Sequence, residues 1–175
     1  YNVVGSSGSC TGSNVASVNI SAAASLNMNS TNILCNGMTN GSATVTPSGG
    51  ASPYTYSYSN GATTQAVTGL AAGNYTATVT TSLGCVSSTA FTITQPSALA
   101  LNTSVINSSC GNCNGAVTAT ATGGTAAYSY SFMPGGTSTN LCAGNYTVIT
   151  TDGNGCSTSA PVIIGGSSPM SSSAV

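Results

Sequence analysis

One phrase in this chain comes back, and its return constrains the fold more than any other feature. Gly69-Leu70-Ala71-Ala72-Gly73-Asn74-Tyr75-Thr76-Ala77-Thr78-Val79 reappears as Leu141-Cys142-Ala143-Gly144-Asn145-Tyr146-Thr147-Val148-Ile149, and the chain opens on Tyr1-Asn2-Val3-Val4, the tail of the same phrase. Tyr1 to Tyr75 is 74 residues and Tyr75 to Tyr146 is 71. Self-similarity at such a period is the mark of a repeat architecture. A Leu, a Gly and then a Tyr leading into an alternating apolar strand point to the corner of a β-sandwich. There the tyrosine hydroxyl ties back to nearby backbone while the ring joins the core. The candidate corner and core residues are Tyr1, Tyr75, Tyr146, Leu70 and Leu141.

The closing part of the repeat occurs three times. Each time a tyrosine-led strand meets a turn and then a cysteine-flanked second strand: Tyr1 to Val4 with Cys10 to Ile20, Tyr75 to Val79 with Cys85 to Ile93, and Tyr146 to Ile149 with Cys156 to Ile164. The opening part occurs twice. In the first copy Cys35 precedes Ser42-Ala43-Thr44-Val45-Thr46, the Gly49-Gly50 break, and Tyr54, Tyr56 and Tyr58 on one face at period two. Asn60-Gly61 then marks a tight turn. In the second copy these become Cys110, Ala116 to Thr122, Gly123-Gly124, then Tyr128, Tyr130 and Phe132. The linkers Ser21–Leu34 and Gln95–Ser109 match in position and supply a first strand to each copy. No segment has helical period. The expected fold is all-β, with residues 1–22 the closing hairpin of a preceding repeat, 24–95 and 96–166 two sandwich repeats, and 167–175 the first strand of a following one.

Charge removes most chemistry. A typical chain is about 25% charged; this one has a single acidic residue, Asp152, and no Lys, Arg or His. It is not a disordered composition, since 40% of residues are apolar and they alternate cleanly. Without basic residues there is no electrostatic grip on phosphate, so nucleic acid is excluded as a partner. General acid–base catalysis needs a second group beside Asp152, and the Thr151-Asp152-Gly153-Asn154-Gly155 stretch reads as a turn. The chain is not expected to be an enzyme or to carry a cofactor. It has no run of 18 apolar residues, so no membrane-spanning helix is expected, and no signal-peptide pattern is read in it, as in a mature or internal fragment.

Repeats near 70 residues sit at the lower size limit for a self-sufficient core, and seven cysteines are available as staples. Cys10 to Cys35 and Cys85 to Cys110 are each 25 residues apart, so these four occupy equivalent places. The expected bridges are Cys35–Cys85 and Cys110–Cys156, with Cys113–Cys142 a third, peculiar to the second copy. Cys10 finds its partner upstream. Cys110 and Cys113 have zinc-ligand spacing, but no second Cys or His pair completes such a site, so metal is not expected. Disulfides place the chain outside the cytoplasm.

Laid out in this way, the repeat resembles the SprB-type repeat of large cell-surface adhesins from gliding Bacteroidetes. The residues carrying the resemblance are Cys35-Asn36-Gly37, Asn40-Gly41-Ser42-Ala43-Thr44-Val45, Gly49-Gly50, Pro53-Tyr54-Thr55-Tyr56, Asn60-Gly61-Ala62-Thr63-Thr64, Gly69 to Tyr75, Gly84-Cys85 and Thr92-Ile93-Thr94-Gln95-Pro96. The second copy matches more loosely. The resemblance implies tandem Ig-like sandwiches on long secreted proteins displayed at the cell surface, with no catalytic residues to carry over. Such repeats usually hold several Asp, and a Trp near Tyr58. Here Asn, Ser or Tyr stand instead, which weakens an inference of calcium binding.

Two functions fit. One is a structural segment of an extracellular filament or adhesin stalk, with other copies of itself as partner. Sheet edges are normally kept apart by Lys and inward charges, and association is resisted by net charge; this chain has neither. The other is an adhesin module that recognises surface glycans, through Tyr54, Tyr56 and Tyr58, or ice, through aligned threonines. A tyrosine stripe is more often core than stacking platform.

Overall fold

A computed structural model describes residues 2–7, 10–15, 22–109 and 111–166, the first two segments as backbone only. The expectations for Tyr1, Cys110 and residues 167–175 lie outside the described residues, as does the side chain of Cys10.

Every element is a strand: β1 (Asn2–Ser7), β2 (Cys10–Val15), β3 (Ser25–Thr31), β4 (Gly41–Ser48), β5 (Tyr54–Tyr58), β6 (Ala66–Leu70), β7 (Gly73–Thr81), β8 (Val86–Ile93), β9 (Ala100–Ile106), β10 (Gly115–Thr122), β11 (Ser129–Met133), β12 (Thr139–Leu141), β13 (Gly144–Thr151) and β14 (Ser157–Ile164). The fold is all-β. None of the described residues forms a helix long and apolar enough to cross a membrane.

Strands β1 and β2 pair antiparallel as a two-stranded sheet, Asn2 opposite Val15 and Ser7 opposite Cys10. The remaining twelve form four three-stranded sheets, ordered β3-β4-β6, β5-β7-β8, β12-β10-β9 and β11-β13-β14. Numbered within one copy, the first, second and fourth strands make one sheet and the third, fifth and sixth the other. That is the A-B-E and C-F-G division of an immunoglobulin sandwich without its D strand. Hairpin β13–β14 runs in register from Gly144–Ile164 to Thr151–Ser157.

The chain falls into two compact units, residues 1–30, 43–67 and 74–92 in the first, and 31–42, 68–73 and 93–175 in the second. Period-two burial builds each core. In the first unit Ala43 and Val45 from β4 and Ala77 and Val79 from β7 are at most 3% exposed, while Thr76, Thr78 and Thr80 occupy the opposite face of β7. In the second unit Val117 and Leu141 of one sheet meet Val148, Val162 and Ile164 of the other, with Leu101, Phe132 and Tyr146 packed around them. Leu70 and Leu141 are both buried.

The turn after β4, and its copy after β10, needs two glycines for two reasons. Gly49 and Gly50 have φ of 73° and 68°, and Gly123 and Gly124 of 73° and 59°, a region that side-chain-bearing residues rarely enter. A Cβ on Gly50 would also lie 2.9 Å from Thr81 Cγ2, and one on Gly124 2.5 Å from Asp152 Oδ2. The double glycine lets the turn close over a buried polar residue.

Candidate functional site

The tyrosine stripe of β5 faces inward. Tyr58 is 4% exposed, and Tyr54 and Tyr56 are half-buried. Tyr54 donates its hydroxyl to the Gly49 carbonyl at 2.7 Å, and Tyr128 does the same to Gly123 at 2.6 Å, so both copies use a phenol to latch the double-glycine turn. Tyr58 donates to the Gln65 carbonyl at 2.7 Å and meets Phe91 edge-on, while Phe91 stacks on Tyr75 with ring centroids 5.5 Å apart. Burial pushes the Tyr58 hydroxyl above its ordinary pKa. Three aromatics thus anchor the core of the first copy. Tyr58→Phe should cost only about 0.5–1.5 kcal/mol, because the Gln65 carbonyl still accepts the Val45 N–H at 3.2 Å. Tyr58→Ala should cost about 3–5 kcal/mol. Urea unfolding of the two variants measures both, and equal losses would contradict the packing role.

At the corner of the second copy, Tyr146 donates its hydroxyl to the Cys142 carbonyl at 3.1 Å, four residues upstream. That is the backward tie of a tyrosine corner. Tyr75 takes the equivalent place in the first copy and contributes its ring to the stack on Phe91.

Asp152 is the one ionic side chain, and it is 5% exposed. Its Oδ2 accepts the Thr125 N–H, and its Oδ1 accepts the N–H groups of Asn154 and Cys156, all at 2.9 Å. In the first copy Thr81 stands at this place. It is 4% exposed, its Oγ1 accepts the Cys85 N–H at 3.1 Å, and its own N–H donates to the Cys85 carbonyl at 2.9 Å, as Asp152 N–H does to Cys156. A hydroxyl and a carboxylate fill one structural role. Backbone donors engage both oxygens of the carboxylate, which closes the turn.

The Thr125 N–H foremost, against the opposing effect of burial, and then the N–H groups of Cys156, Asn154 and Gly155 hold the Asp152 carboxyl below the usual carboxylate range. A carboxyl whose pKa falls on folding adds stability above its unfolded value, and that stability is lost as pH drops through the folded value. The sequence holds no Glu, His, Lys or Arg beside it. Stability should therefore be flat from about pH 5 to 8 and decline only below about pH 4. Asp152→Asn should remove the decline. Thermal midpoints across that range check it; a slope between pH 5 and 8 would contradict it.

The disulfides depart from the expected pairing. Cys35 is bonded to Cys156, with Cα atoms 5.6 Å apart, so neither Cys35–Cys85 nor Cys110–Cys156 is formed. Cys113 is bonded to Cys142. The reason is the placement of residues 34–37 within the second unit. Asn154 Nδ2 donates to the Leu34 carbonyl at 2.9 Å, Asn36 Nδ2 to the Pro96 carbonyl at 2.9 Å, and the Gly37 N–H to Gln95 Oε1 at 2.8 Å. Ile33 N–H reaches the Thr94 carbonyl at 2.9 Å. These bonds seat the Cys35 loop beside the Asp152 turn, where its sulfur meets that of Cys156. Among the described residues no three His, Cys, Asp or Glu side chains are grouped as metal ligands would be.

An open, mostly apolar depression of about 610 Å³ lies on sheet β11-β13-β14, lined by Met133, Pro134, Tyr146, Pro161, Val162 and Ile163. No feature of the sequence singled it out. Its signal was the pairing of Ile163 and Pro161, on the face of β14 opposite the core, with Met133 near the end of β11.

Two segments, residues 27–63 and 102–137, match the family model of the SprB repeat. No curated protein matches the chain. Among solved structures, the N-terminal eight Ig domains of Down Syndrome Cell Adhesion Molecule (DSCAM) isoform 1.30.30 align at 12% identity with a TM-score of 0.48, over 90% of this chain and 26% of that one.

Proposed function

We propose that this chain, two segments of which match the SprB repeat, is a structural segment of an extracellular filament or adhesin stalk. Its Ig-like repeats join head to tail, by strand complementation between copies or by covalent repetition in a longer chain. The observation that carries this reading is the β1–β2 hairpin. It repeats the phrase of β7–β8 and β13–β14, each of which lies in a three-stranded sheet, whereas among the described residues it pairs as a two-stranded one. A hairpin of this kind is marginal in water without further strands, and another copy of the repeat has the strands that fit it. The lack of charge supports the reading, since nothing ionic holds neighbouring edges apart. Disulfides support an oxidising, extracellular setting.

The test is electron microscopy of the native material together with sedimentation of the purified chain at rising concentration. Linear native particles many repeats long are the expected result by either route, and mass that grows with concentration is expected where copies join by strand complementation. Single particles of one chain's mass at every concentration would sink the proposal.

A glycan- or ice-binding module is the second reading, favoured by the outward threonines of β7 and by Tyr130, which is 38% exposed. Binding of soluble glycans by a non-assembled chain would support it over the stalk.

A further inference from the structure

The two copies differ in the connection between their third and fourth strands. Eleven residues lie between Tyr58 and Leu70 in the first copy, and eight between Phe132 and Leu141 in the second. The longer connection carries the Gln65 carbonyl to the edge of β4, where it accepts the Val45 N–H at 3.2 Å and the Tyr58 hydroxyl at 2.7 Å. Four residues before the double-glycine turn stands Val45 in the first copy and Ala119 in the second. Four residues after the latching tyrosine stand Tyr58 and Phe132, and three before the buried leucine stand Val67 and Ser138. At all three places the second copy has the smaller side chain. Val45, Tyr58 and Val67 are at most 7% exposed, whereas Ala119, Phe132 and Ser138 are half-buried.

The shorter connection leaves part of β10 without a neighbour. Strand β12 pairs only with Gly115 and Ala116. Beyond them the Val117 N–H reaches the Ser138 carbonyl and the Ala121 N–H reaches the Tyr130 hydroxyl, both at 2.9 Å. Ala119 lies between, and strand alternation turns its N–H and carbonyl to this same edge. No strand among the described residues pairs with it there. A cleft of about 380 Å³ opens at this place, lined by Val117, Ala119, Tyr130, Phe132, Ser138 and Thr139, none of them charged.

We propose that this cleft binds an extended, uncharged peptide segment of a partner protein, added as a short strand along β10. The first copy shows what such an occupant supplies. It gives a backbone carbonyl to the Ala119 N–H, as Gln65 does to Val45, and β-branched apolar carbon for the volume that Val45 and Val67 fill. A charged side chain would enter with nothing to pair it. The occupant comes from another protein, because the described strands of this chain all lie in sheets of their own. Lateral docking of this kind is independent of head-to-tail joining between copies.

The probe is the acetylated, amidated peptide Thr-Ala-Thr-Val-Thr, the sequence of residues 76–80, titrated into the oxidised full chain. Amide hydrogen exchange followed by NMR is the readout. In the free chain the Val45 amide should exchange slowly and the Ala119 amide fast. Saturating peptide should slow Ala119 and leave Val45 unchanged. The Val79→Asp peptide should bind about tenfold more weakly or worse. Phe132→Tyr in the chain should tighten binding of the parent peptide about two- to tenfold, since its hydroxyl can donate to the incoming carbonyl as Tyr58 does to Gln65. An Ala119 amide that stays fast under excess peptide, equal binding of the aspartate peptide, or no gain from Phe132→Tyr each overturns the proposal. Ala119 protection that grows with chain concentration in the absence of peptide names a second copy as the occupant, and overturns it too. Sedimentation of the same chain without peptide reports on head-to-tail assembly separately.

Discussion

Replacing Cys156 with serine is expected to destabilise the second unit by about 2–5 kcal/mol, the range for loss of a native disulfide from a small extracellular domain. The bridge spans a sequence separation of 121 residues, and closing so long a loop removes about 5 kcal/mol of chain entropy from the unfolded ensemble. The folded loop keeps other ties. The bonds of Asn36, Gly37 and Asn154 seat the same residues without sulfur, each contributing about 0.5–1.5 kcal/mol net. The loss should therefore appear as a lower unfolding midpoint with the native fold retained. Cys35→Ser should match Cys156→Ser, and the double variant should cost no more than either alone, since all three delete one bond. Urea unfolding of oxidised protein, with and without a dithiol, measures this. A Cys156→Ser curve lying on the wild-type curve would remove the bridge from the account.

The second large effect comes from two neighbours on one strand. Ile164 is 1% exposed and sits in the core with Val148 and Val162, whereas Ile163 is 69% exposed on the other face of β14. Their partners in β13 are Gly144 and Asn145 respectively. Ile164→Ala deletes buried methyl groups and leaves a cavity, a loss of about 2–5 kcal/mol. Ile163→Ala removes surface carbon only and should stay within about 0.5 kcal/mol of wild type. A one-residue slip in register would exchange the two outcomes. Denaturant midpoints of the pair decide it, and equal losses would contradict the register.

The period and the strand class were legible because the repeat aligned alternating apolar positions with one another. Ala43 and Val45, or Ala77 and Val79, can be read as buried from their spacing alone. Strands β6 and β12, of five and three residues, are too short for period two to show above their turn-rich surroundings. Disulfide partners were not legible for a different reason: repetition says which cysteines are equivalent, and leaves open which equivalents face each other. The loop at 34–37 settles that through bonds to Gln95, Pro96 and Asn154, contacts 58 to 120 residues distant. Asp152 looked like a lone turn residue because its counterpart, Thr81, shares its geometry and none of its charge. The tyrosine stripe stood correctly on one face, but only three-dimensional packing could say that this face is turned inward.

The link between Cys35 and Cys156 also decides how such a chain behaves when pulled. Tension entering at one end crosses from residue 35 to residue 156 through sulfur, so the strands between them carry none of the load. Fully extended, that sheltered stretch would measure roughly 400 Å at about 3.3–3.6 Å per residue. Stretched under oxidising conditions the molecule should yield little of this length, and reduction should release it.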